Sequence, residues 1–100
     1  MRLSEKSVTT VRNAVHSVFS GHAKVFLFGS RVYDHKRGGD IDLLVVSDLQ
    51  RNAMEAAKIM AVAKIQLILG EQKIDMIVTN DPAQDSRPVV REAIQHGIEL

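Results

Sequence analysis

Two short apolar runs stand close together in this chain, and their spacing constrains the fold more than any other feature. Residues 23–28 carry Val25, Phe26, Leu27 and Phe28 in succession, and residues 40–46 carry Ile41, Leu43, Leu44, Val45 and Val46. Brief contiguous runs rich in β-branched and aromatic side chains read as buried strands. The polar, glycine-terminated segment between them is too short to enclose a crossover helix, so the two strands are expected to pair antiparallel. A third run, residues 73–78 (KIDMIV), follows the second after a stretch of helical length, which predicts a parallel pairing of the second and third strands. The sheet should therefore be mixed.

The intervening segments have helical periodicity. In residues 4–20, Val8, Val11, Val15, Val18 and Phe19 recur at three- and four-residue spacing, with Gly21 as a stop. Valine is a weak helix former, so packing must hold this element. Residues 50–69 form the crossover helix, with Ser47 or Asp48 as its cap, Gly70 closing it, and Ala53, Ala57, Met60, Ala61, Lys64, Ile65 and Ile68 describing most of one face. A last helix, capped by Asp85 or Ser86, tolerates Pro88 in its first turn and presents Val89, Val90, Ala93, Ile94 and Gly97. The order is α-β-β-α-β-α, an α/β domain over residues 1–100 with a three-stranded mixed sheet flanked by helices.

A net charge of +1 gives no general attraction to polyanions, so nucleic acid is not the expected partner. The absence of cysteine excludes a disulfide framework and thiolate chemistry. Arg2, Glu5, Lys6, Arg12 and His16 interrupt any leader-like apolar stretch, and no apolar run approaches membrane-spanning length. A cytoplasmic protein with no membrane association is expected.

The chemistry concentrates around Gly29-Ser30-Arg31 and Gly39-Asp40-Ile41-Asp42-Leu43. Strand alternation puts Asp40 and Asp42 on one side of the second strand. Two carboxylates on one face repel each other and are costly to bury, and a divalent cation relieves both problems. All-oxygen ligation suits Mg²⁺, which takes its remaining ligands from water and phosphate, and structural zinc is disfavoured. Asp75 interrupts the third apolar run and would stand beside the pair if the second and third strands are neighbours. Such a triad could hold one or two metals and supply a base. Ahead of it, Gly29 permits close backbone approach and Ser30 adds a hydroxyl, an arrangement suited to nucleotide phosphates but distinct from a Walker loop. Arg31 either holds a phosphate or pairs with Asp34.

These residues, from the Gly-Ser turn through the D-x-D pair to Asp75 within KIDMIV, resemble the nucleotidyltransferase superfamily related to DNA polymerase β. The chain is similar to its minimal branch, whose members act as antitoxins beside HEPN-domain ribonuclease toxins. The resemblance implies that Gly29 and Ser30 contact nucleotide phosphates and that Asp40, Asp42 and Asp75 bind metal and serve catalysis. It implies ATP as substrate and transfer of adenylate to a tyrosine of the HEPN partner. Gly39 stands where the family has a serine before the D-x-D motif. A catalytically inactive binding module of the same fold, or an enzyme acting on RNA or a small molecule, are the alternatives.

Other side chains read more plainly. His16, His22 and His96 belong to packing or surface, whereas His35, Lys36 and Arg37 lie in the loop nearest the site. Tyr33 either stacks on a base or packs at the rim. Met54, Met60 and Met76 fill core. The 50–69 helix is more apolar than a small sheet requires, so a partner or homo-oligomer surface is expected there.

Overall fold

The computed structural model describes residues 1, 3–33 and 39–100. Helix α1 (Glu5–Val18) is followed by β1 (Lys24–Phe28), a 3-10 turn (Gly29–Val32) and β2 (Ile41–Val46). Helix α2 (Arg51–Leu69), β3 (Ile74–Thr79), α3 (Pro88–His96) and β4 (Ile98–Glu99) complete the order. The sheet runs β3-β2-β1-β4. As expected, β1 and β2 are antiparallel and β2 and β3 parallel.

The sheet has four strands, not three. β4 is only two residues long, below the length at which periodicity or composition can signal a strand. It pairs antiparallel with β1, and the Leu100 N–H donates to the Val25 carbonyl at 2.9 Å. Gly97 ends α3 rather than belonging to its apolar face. A Cβ there would press on the carbonyl oxygens of Ala93 and Leu27, so the chain can pass this close to β1 only at glycine.

The helix ends follow local hydrogen bonding. The Ser4 hydroxyl caps α1 by accepting from the Ser7 N–H at 3.1 Å. The expected caps of the later helices sit elsewhere. Ser47 accepts from the Leu49 N–H, and α2 begins after Gln50 without a side-chain cap. Asp85 accepts from the Arg87 N–H, one residue ahead of Pro88, whose missing N–H costs nothing in a first turn.

Strand alternation divides the interior in two. Val25, Leu27, Ile41, Leu43, Val45, Met76 and Val78 face α1 and α2, where they meet Val11, Val15, Ala57, Ala61 and Ile65. The opposite sheet face carries Phe28 and Leu44, which pack on Val90 and Ala93 of α3. Truncating a fully buried side chain such as Leu43 to alanine would cost about 2–5 kcal/mol. Helix α3 has only nine residues, and the same face also carries Asp42 and Asp75. Among the described residues no helix is long and apolar enough to cross a membrane.

Candidate active site

Register brings the site together. Asp42 lies opposite Phe28 on β1 and opposite Asp75 on β3. All three belong to the sheet face shared with α3, so the two aspartates face each other across the β2–β3 pair. Asp75 is solvent-exposed and Asp42 half-buried. Burial raises the pKa of Asp42 first, and repulsion by the Asp75 and Asp40 carboxylates adds to it. A hydrogen bond to Asp75 favours the protonated form as well, while the Lys73 ammonium opposes these effects.

Gly29 follows Phe28 and therefore lies against Asp42. Its φ of 75° is a left-handed conformation, and a Cβ at this position would collide with the Asp42 carboxylate. Two independent constraints thus select glycine here, one conformational and one steric. The 3-10 turn starts at Gly29 and closes with the Tyr33 N–H donating to the Ser30 carbonyl at 3.2 Å. Its third residue, Arg31, donates from Nη2 to the Gly39 carbonyl at 3.1 Å. That bond ties the Gly-Ser turn to the residue immediately before Asp40. The alternative partner Asp34, and His35, Lys36 and Arg37 of the same loop, lie outside the described residues.

Asp40 is held differently from the other two. The Ile41 N–H donates to the Lys73 carbonyl at 3.0 Å, which sets Lys73 across from Asp40 at the start of the strand pair. Lys73 Nζ lies 3.6 Å from Asp40 Oδ2. Asp42 and Asp75 are therefore gathered directly, whereas Asp40 is near enough to repel Asp42 but is paired with a cation. Among the described residues no three acidic or histidine side chains already converge as a metal-holding group. The donor set still fits a divalent cation: its ligands would all be oxygens, and Asp42 carries the strain of crowded negative charge that such an ion relieves.

A groove of roughly 680 Å³ runs along the β3 edge past Asp42 and Asp75, with Phe28 and Val89 on one wall and Ile59, Val62 and Ala63 of α2 on the other. This is ample for a small ligand. Among the described residues no histidine lines it: His16 Nε2 lies 3.2 Å from the Ala23 carbonyl, bracing α1 against the entry to β1. Sequence reasoning missed Lys73, although its position two residues before Asp75 on the same strand face was a readable signal. It also saw Asp85 only as a cap. The Asp85 carboxylate accepts from Arg87 Nε at 3.0 Å, Arg87 Nη2 at 2.8 Å and the Thr79 hydroxyl at 2.7 Å. These bonds pull the Asp85 pKa down, Arg87 contributing most, and raise that of Arg87.

A mixed sheet that juxtaposes strand-borne aspartates behind a Gly-Ser turn defines a small α/β nucleotide-processing domain. Residues 8–99 match the family described as nucleotidyltransferase domain, and the chain belongs to that family. Nucleotidyl transfer is the chemistry of this family, which generally uses a nucleoside triphosphate and a divalent metal. No curated protein matches the chain in sequence.

Proposed function

We propose that the chain transfers adenylate from ATP to a hydroxyl of a partner protein, a HEPN ribonuclease toxin, and so acts as its antitoxin. The observation that carries the catalytic part is the direct register of Asp42 with Asp75 beside a glycine that leaves room for the Asp42 carboxylate. In this reading Asp40, Asp42 and Asp75 would hold Mg²⁺, as one ion or two. The bound ion would neutralise phosphate charge and offset the repulsion among the carboxylates.

The chain's own groups then position and exchange a proton. Gly29 and Ser30 border the phosphates, and Arg31 with Gly39 fixes that turn against the start of β2. The acceptor hydroxyl oxygen forms a bond to the α-phosphorus as the bond to the bridging oxygen breaks, and diphosphate departs. The hydroxyl proton passes to the Asp75 carboxylate, which stands opposite Asp42 at the exposed edge of the site. The partner reading draws support from α2, which leaves Ile59, Met60, Leu67 and Ile68 exposed, Leu67 by 86 %. Such a surface, beside the groove and alongside a small domain, suits an interface with the acceptor protein or with a second copy.

The test incubates the purified protein with the toxin, Mg²⁺ and labelled ATP. Label on the toxin, lost in Asp40→Ala and Asp42→Ala, is the expected result. Neutralisation of the toxin that survives both substitutions without label transfer would establish the non-catalytic binding module instead. Label appearing on RNA or a small molecule, with none on protein, would move the acceptor to those classes.

A further inference from the structure

Lys73 shares the sheet face of the aspartates, two residues before Asp75 and directly across from Asp40. The site is thus a two-rung ladder. One rung sets the Asp42 carboxylate against that of Asp75; the other sets Asp40 against the Lys73 ammonium at 3.6 Å. Both members of the ion pair are open to water, with side-chain exposures of 71 % and 45 %. A pair in that setting is weak and exchanges readily. The ammonium is a compact charge on a flexible stem, able to leave one anion for another without disturbing the backbone.

We infer that Lys73 is a positioning residue that occupies Asp40 until a divalent cation arrives, competes with that cation for the carboxylate, and on release pairs with the nucleotide polyphosphate. The inference rests on the assignment of Asp40 as a metal ligand under the proposed function. Its physical basis is that one positive charge beside Asp40 both shields and blocks it. A metal must displace the ammonium, and the ammonium then stands next to the place where phosphate charge accumulates. The device would keep the apo site from self-repulsion while coupling metal entry to nucleotide entry.

Manganese binding to the purified chain without nucleotide, followed by electron paramagnetic resonance, tests the exchange directly. Lys73→Met and Lys73→Gln should each bind Mn²⁺ about fivefold more tightly than the native chain, and Lys73→Arg about as weakly as it. In the Asp40→Asn background the Lys73→Met gain should vanish, because the shared carboxylate is gone. Unchanged or weaker Mn²⁺ binding in both Lys73→Met and Lys73→Gln overturns the inference, as does a gain that persists without Asp40. In the transfer reaction Lys73→Met should raise KM for ATP while lowering the metal concentration for half-maximal rate. A purely structural lysine would not move the two in opposite directions. Because Mn²⁺ binding needs no acceptor, absence of toxin labelling with the Lys73 effect intact counts against the partner reading alone. Labelling without the Lys73 effect counts against the exchange alone.

Discussion

The two ends of β3 treat a carboxylate in opposite ways. At its start, Asp75 faces another carboxylate, and Asp42 is left with a raised proton affinity. Past its end, Asp85 is met by both arms of the Arg87 guanidinium and by the Thr79 hydroxyl, while Arg87 also donates to the Val78 carbonyl at 2.8 Å. The far end is satisfied and serves stability, holding the segment that leads into α3. The near end crowds carboxylates together, and an arrangement that costs stability persists where it can serve chemistry. The contrast separates the two roles at opposite ends of one six-residue strand.

The largest effect expected from breaking this contrast is on catalysis. Asp42→Asn should lower the transfer rate by about a thousandfold or more, since it removes a proposed metal ligand. Its melting temperature should stay level or rise, because a crowded charge has been removed; a large fall in Tm would mean that Asp42 serves the fold. Gly29→Ala should strike both quantities. A forced left-handed alanine against the Asp42 carboxylate should cost about 1–3 kcal/mol in denaturant titration and abolish most activity.

Substitution at the satisfied end should do the reverse. Arg87→Ala should lower stability by about 1 kcal/mol, through an orphaned Asp85 and Val78 carbonyl, and leave Mn²⁺ affinity at the native value. A change in Mn²⁺ affinity would show that the two ends are coupled.

The smallest effect is in the pH dependence of Tm, and its sign differs between the ends. Asp85 has a lowered pKa, so its stabilisation is present above the ordinary carboxylate range and is lost as pH falls through the depressed value. Asp42 has a raised pKa, so its contribution is present at acid pH and is lost as pH rises through the raised value. Asp85→Asn should flatten the acid limb of the Tm profile, and Asp42→Asn should gain most toward neutral pH. Parallel profiles for the two variants would contradict the assigned environments.

Much of this was legible in the sequence because it depends on alternation and spacing. The antiparallel β1–β2 pair followed from a linker too short for a helix, and the parallel β2–β3 pair from one long enough to supply it. Those two pairings carried Asp75 to Asp42. What escaped prediction depends on contacts between distant residues. β4 exists because Gly97 lets the chain turn onto β1, and two residues carry no period. The Asp85–Arg87 clasp looked like capping chemistry until Thr79 and Val78 were placed beside it. Lys73 read as the first residue of a strand, and its role emerged only from what lies across from it. The surplus apolarity of α2 was visible in composition, and the fold leaves Ile59, Met60, Leu67 and Ile68 outside, Met60 against its expected place in the core.

The parallel β2–β3 register also has a kinetic consequence. The β1–β2 hairpin closes a short loop, whereas Asp75 reaches Asp42 only after the whole α2 crossover has formed and docked. Contacts that close long loops form late, because the entropy of closure comes before any reward from contact. The carboxylate pair should therefore be completed among the last features of folding. In a stopped-flow refolding experiment, Mn²⁺ binding should lag behind the recovery of helical signal, so the chain would acquire its shape before it acquires its site.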